Sequence, residues 1–286
     1  MKIPASELPR QNDGSIYHLN LQPDDLADNV LLVGDPGRVP TISQFFDTIE
    51  VKKQNREMVT HTGFYKGKRV SAISTGMGTD NIDIVLTELD ALANVDLQNM
   101  EVKSEHRTLN LVRIGTSGAL QPNIDCGDFV ASEWGLGIDS VLQFYDHGSW
   151  IDEDMVDAFE LHTKWNDRLS RPYCTPASPE LLQRIAFDMK KGVTVSAPGF
   201  FGPQGRQVRA KLAFPELNPK IESFNYQGRM ITNMEMECSA IYGLGNVLGH
   251  HPLTVCLIIA NRLTGRFLDD YHPQMEALVQ TVLDRI

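Results

Sequence analysis

Apolar β-rich runs and runs of helical period take turns along the chain from residue 30 onward. Residues 30–33 are uninterruptedly apolar and enter Gly34-Asp35-Pro36-Gly37-Arg38, which predicts a buried strand ending in a turn. A short helix follows, with Pro40 near its start. Residues 69–75 read as a second strand. Gly76-Met77-Gly78 then leads into a helix on which Ile82, Val85, Leu86, Leu89 and Ala93 share one face. The next strand, 109–114, is expected to end at Gly115-Thr116-Ser117-Gly118. Further strands are predicted at 128–132, 192–197 and 253–260, and helices near 178–190, 235–248 and 272–286. Such alternation predicts an α/β fold: one domain over residues 1–286, with a central mixed, mostly parallel sheet flanked by helices. Residues 96–108, 146–178 and 199–230 are polar or rich in Pro, Gly and aromatics, and read as irregular. A ligand cleft in this kind of sheet lies at the carboxyl ends of the strands, where the Gly-rich turns fall.

Four groups of residues at those ends carry chemistry. In Gly34-Asp35-Pro36-Gly37-Arg38, backbone N–H groups and a planar guanidinium suit a tetrahedral anion; the alternative is a plain turn with a solvated Arg. The spacing fits neither GxGxxG nor a P-loop. In Arg113-Ile114-Gly115-Thr116-Ser117-Gly118, a charge interrupts an apolar strand, and a buried guanidinium is costly unless it meets a ligand anion or an internal carboxylate. Asn233-Met234-Glu235-Met236-Glu237 puts two carboxylates at a strand-to-helix junction, where a carboxylate can accept both hydroxyls of a sugar diol. The competing reading is a capping box from Thr232 to Glu235. Phe200-Phe201-Gly202-Pro203-Gln204-Gly205-Arg206 offers aromatic faces, an amide and a guanidinium, a set suited to an imide edge, or else ordinary loop chemistry. His18 and Arg56-Glu57 stand in polar surroundings. Together the groups imply phosphate, ribose and a pyrimidine-like base.

Composition narrows the partners. The 286 residues hold 37 Asp and Glu against 26 Lys and Arg, a net charge of −11, which argues against nucleic-acid-coating or anionic-membrane function. Cys126, Cys174, Cys238 and Cys256 are scattered without metal or disulfide spacing, so no metal site is expected and a reducing cytoplasm fits. The polar N-terminal stretch and the absence of any ~18-residue apolar run predict neither a signal peptide nor a span.

These motifs resemble the nucleoside phosphorylase-I family over roughly residues 16–265. The resemblance implies a phosphate site at Gly34, Arg38, Arg113 and Thr116, with Arg56 reaching over from an adjacent subunit. It implies ribose contacts from Glu235, Met236 and Glu237, with His18 supplied by the neighbouring chain. Members acting on uridine carry an aromatic pair followed by Q-x-R and an N-R after the last sheet strand; Phe200, Phe201, Gln204, Arg206 and Asn261-Arg262 match. Purine-specific members place S-D at that strand end, where this chain has Ala260-Asn261. The implied reaction is phosphorolysis of uridine in a homodimer or larger homo-oligomer. Arg206, Gln204 and Arg113 would carry catalysis, Arg262 would support the base, and inorganic phosphate would be co-substrate without a resident cofactor. Phosphorolysis of thymidine, deoxyuridine or a purine nucleoside is the alternative; a non-catalytic nucleoside sensor is another. Some members hold a monovalent cation beside a Glu that matches Glu57, but where they have x-P-S this chain has Thr79-Asp80-Asn81.

Overall fold

The computed structural model describes residues 2–286. In chain order it contains β1 (Asn29–Val33), α1 (Arg38–Ser43), β2 (Thr48–Asn55), β3 (Met58–Tyr65), β4 (Lys68–Ser74), α2 (Thr79–Asn94), β5 (Val95–Asp96), β6 (Glu101–Val102) and β7 (Asn110–Ala119). There follow β8 (Phe129–Gly137), α3 (Glu153–Thr163), β9 (Tyr173–Pro176), α4 (Pro179–Ile185), β10 (Lys190–Ser196), α5 (Leu217–Ser223), β11 (Asn225–Tyr226), β12 (Arg229–Glu235), α6 (Cys238–Val247), β13 (His251–Asn261), β14 (Arg266–Phe267) and α7 (His272–Arg285).

Apart from the separate β5–β6 pair, the strands form a mixed sheet whose main path is β11-β12-β10-β8-β13-β7-β1-β4-β3-β2, making one α/β domain. β1 lies between β4 and β7 and is parallel to both, with Leu31 opposite Ala72 and Val112. A strand covered on both faces needs a continuous apolar run, which Val30 to Val33 supplies. β13 is parallel to β7 and antiparallel to β8. β12 then folds back against β7, setting Asn233 opposite Ala119 and Met234 opposite Gly118. That pairing closes β7, β12, β10, β8 and β13 into a small barrel. Among the described residues, no helix is long and apolar enough to cross a membrane.

Five local expectations need correction. β7 does not stop at Gly115 but continues through Gly118 to Ala119. The antiparallel β2–β3 hairpin was not expected, because β2 is a solvent-washed edge strand whose Lys52 and Lys53 make it read as polar. Segment 146–178 contains α3, which buries Met155, Val156, Phe159 and Thr163 on one face and is capped by Asp152 accepting the Met155 N–H at 3.0 Å. Segment 199–230 likewise holds α5 and β11. α4 ends at Ile185, five residues before the predicted boundary of 190.

Candidate active site

At the end of β1, Asp35 accepts the Gly37 N–H at 2.8 Å, an Asx turn that aims the first residue of α1, Arg38, into a cavity. The Arg38 Nε is buried without a hydrogen-bond partner, and the guanidinium lies 5.7 Å from the Tyr271 ring. A cation held this way is an open seat for an anion.

Arg113 occupies the centre and is 5% exposed. Its Nη1 sits 3.1 Å from Glu235, and its Nη2 donates to Glu237. Burial works against the guanidinium's charge, but Glu237 and Glu235 overcome this and hold its pKa above the ordinary Arg value. Arg113 is thus paired with internal carboxylates through Nη1 and Nη2, while its buried Nε has no protein partner and is left as a donor for a ligand oxygen. Gly115 makes this geometry available: in a strand, residues two apart share a face, and a Cβ on Gly115 would stand 2.0 Å from the Arg113 Nη1.

The two glutamates do different work. A carboxylate has about four lone-pair sites. Glu235 accepts from Ser196 Oγ at 2.6 Å, from the Glu237 and Cys238 N–H groups at 3.0 Å each, and faces Arg113. It is saturated, and it, rather than a Thr232 capping box, satisfies the start of α6; the Thr232 hydroxyl instead donates to Asn233 Oδ1 at 2.8 Å. Burial pushes the Glu235 pKa up. Glu237 accepts only from the Gly78 N–H at 2.8 Å and from Arg113, which leaves about two sites for a diol.

In the 200–206 loop, the Arg206 guanidinium lies 3.8 Å from the Phe200 ring centre and donates at 2.5 Å to Gln204 Oε1. The Gln204 amide nitrogen is thereby left as a donor. Gly205 adopts φ +69°, and a Cβ there would stand 2.4 Å from Asn218 Nδ2, so the turn requires glycine. Burial, and after it the charge of Arg262, pulls the Arg206 pKa down to about 10.

Gly34, Arg38, Arg113, Thr116, Phe200, Gln204, Arg206, Glu235, Met236 and Glu237 all line one cavity of about 720 Å³. Four predicted residues do not. Phe201 faces a neighbouring cavity. Arg262 lies behind the base loop, where it donates to the Gln204 carbonyl at 2.5 Å. His18 is bound to Glu88 at 2.6 Å, and Asn55, next to Arg56, donates to the His18 carbonyl at 2.9 Å, so His18 and Arg56 sit together on one edge outside the cavity. Sequence reasoning missed Ser196, which gave no signal within its apolar strand, and Ile259 and Phe267, which also line the cavity. Glu57 lines it as well, with Asn81 packed beside it over Gly76.

Cys174, Cys238 and Cys256 are buried, and burial raises each thiol's pKa, to about 11 for Cys256, so none is poised as a nucleophile. Asp90, His106 and His250 come together outside the cavity lining. There His250 Nδ1 accepts the Leu109 N–H at 3.2 Å, and Nε2, 3.3 Å from Asp90, is buried without a hydrogen-bond partner.

The phosphorylase superfamily model matches residues 28–286. A uridine phosphorylase of Thermococcus kodakarensis is 30% identical over 272 residues, covering 93% of this chain and 84% of that one. A DeoD-type purine nucleoside phosphorylase of Oceanobacillus iheyensis is 28% identical, covering 87% and 88%. Among solved structures, a Trypanosoma brucei nucleoside phosphorylase with uridine phosphorylase activity superposes with a TM-score of 0.87 at 28% identity, covering 97% and 98%.

Proposed function

Because this chain belongs to the phosphorylase superfamily, as a nucleoside phosphorylase of the pentosyltransferase type, we propose that its reaction is the reversible phosphorolysis of uridine to uracil and ribose 1-phosphate. The observation that carries the choice of base is the Gln204–Arg206 pair, which lines the same cavity as Arg38. Its free N–H groups match the carbonyl-rich edge of uracil. The strand end that carries Asp in purine-specific members of the resembling family here carries Ala260-Asn261.

The C1′–N1 bond breaks with its electron pair moving to uracil, while positive charge builds on the ribosyl ring. A phosphate oxygen held by Arg38, the Gly34 turn, Thr116 and Arg113 then bonds to C1′. Arg206 and Gln204 stabilise the growing negative charge on the base, which takes its proton after departure. Arg262 acts through the Gln204 carbonyl, as a positioning residue. Glu237 holds the ribose diol with Met236 beside it, while Glu235 holds Arg113. His18 and Arg56 serve the site of a second copy of the chain, in a homodimer at least. Phosphate is the co-substrate, and no resident cofactor or metal is needed.

The relatives that act on purine nucleosides give the competing reading its footing. Uridine, deoxyuridine, thymidine and inosine are to be assayed with and without phosphate. Phosphate-dependent release of uracil from uridine, at least tenfold faster than hypoxanthine from inosine, is expected; faster cleavage of inosine would overturn the base assignment. Uridine bound but uncleaved in phosphate would instead identify a sensor.

A further inference from the structure

The loop that presents Gln204 continues over a second cavity of about 580 Å³. This volume lies within the range of ordinary small-molecule sites, about 300–1,000 Å³. Of its lining residues only Arg206 also lines the nucleoside cavity, so the two are separate chambers with one guanidinium between them. The walls are apolar and partly aromatic: Trp165 and Leu169 follow α3, and Phe214 and Leu217 lead into α5.

The charges are one-sided. Arg206, Arg209 and Lys211 line this cavity, and among the described residues no carboxylate does, in a chain whose net charge is −11. Arg168, 5.8 Å from the Phe214 ring, adds a fourth cation nearby. Val208 and Phe201 also turn toward this space and stand 80% and 58% exposed, an apolar surface of the kind that marks a binding site. A nucleoside is a poor occupant, since no carboxylate is present to take its diol. An apolar body with a negative end meets both features of the lining.

We propose that this cavity binds an aromatic organic anion, a flat ring system bearing one carboxylate or sulfonate, with the ring among Trp165, Leu212 and Phe214 and the charge toward Arg206, Arg209 and Lys211. Occupation and base binding are coupled, because both draw on Arg206. The anion lowers the affinity for uracil, and uracil lowers that for the anion by the same factor.

Naphthalene-1-sulfonate is the probe, with uncharged 1-naphthalenemethanol as its control. Calorimetry and quenching of the intrinsic tryptophan fluorescence are the readouts, so binding is measured without reference to catalysis. One saturable site per chain is expected. The exposed double variant R209E/K211E should weaken the sulfonate at least tenfold while changing the alcohol less than twofold. Ala213→Trp, which fills the chamber, should abolish binding of both and leave phosphate-dependent uridine cleavage within twofold of wild type. The proposal fails if no saturable binding occurs, if both variants bind the sulfonate as wild type does, or if Ala213→Trp retains a sulfonate site that uridine displaces. If uridine proves not to be the substrate, the binding results stand unaffected, and only the coupling needs a different base.

Discussion

Gly115→Ala tests whether the glycines of β7 exist for the chain's turn or for Arg113. The Gly115 backbone is not left-handed, so alanine brings no strain of its own, and the lost chain entropy of glycine favours the variant by about 0.4–1 kcal/mol. The new methyl, however, would stand 2.0 Å from Arg113 Nη1 and 2.6 Å from its Cζ. An exposed arginine would swing aside at little cost. This one is clamped between Glu235 and Glu237, all three 5% exposed or less, so moving it leaves two carboxylates buried without their cation. Disrupting a buried pair of this kind costs roughly 3–5 kcal/mol. At roughly 2–4 °C per kcal/mol for a chain of this class, the Tm should fall by about 6–20 °C. Gly118→Ala is the internal control, since its methyl meets nothing nearer than the Ala260 carbonyl at 3.9 Å. It should stay within about 1 kcal/mol of wild type or gain slightly. Scanning calorimetry and urea titration of both variants decide the matter. If Gly115→Ala is no less stable than Gly118→Ala, Arg113 does not depend on the space that Gly115 leaves, and the reasoning is refuted.

Arg38→Ala should lower kcat/KM for phosphate by about 10²–10³-fold, the usual effect of removing one preorganised donor to a reacting anion; an unchanged phosphate KM would remove Arg38 from the anion site. Arg38→Ala and Arg56→Ala chains, refolded together in equal amounts, should recover about a quarter of the wild-type sites if Arg56 serves a neighbouring copy across a symmetric interface. No recovery, with mixed dimers demonstrated, would place both arginines in one chain's site. Asp139 is buried among Tyr173, Ser239 and the Val141 N–H, and burial raises its pKa above the ordinary 3.8. The folded chain thus holds this proton more tightly than the unfolded one, and the stability it gives is lost as pH rises from about 4 through the raised value. Asp139→Asn should flatten that decline, and the urea midpoint of the variant relative to wild type should rise between pH 4 and pH 7; a constant difference would contradict the assignment.

Much of this protein is legible in its sequence because neighbours along the chain decide it. The run 30–33 had to be a buried strand, since both its faces are apolar, and the 82–93 stripe had to be a helix packed along one side. The Gly34–Arg38 turn and the Phe200–Arg206 loop announced themselves by residues that regular structure excludes. What the sequence could not decide is which distant elements meet. Arg113 and Glu237 are 124 positions apart, and their contact depends on β12 folding back onto β7 to close the barrel. Nothing local separates Glu235, saturated by Ser196 and the start of α6, from Glu237, which keeps sites free two residues later. The glycines after Arg113 look like a turn by composition, yet Gly115 is there to leave room for a guanidinium. Patterns of period two and 3.6 encode the elements through local sterics and burial; the division of labour at the site follows from hydrogen-bond saturation and close packing, which exist only once remote segments are in contact.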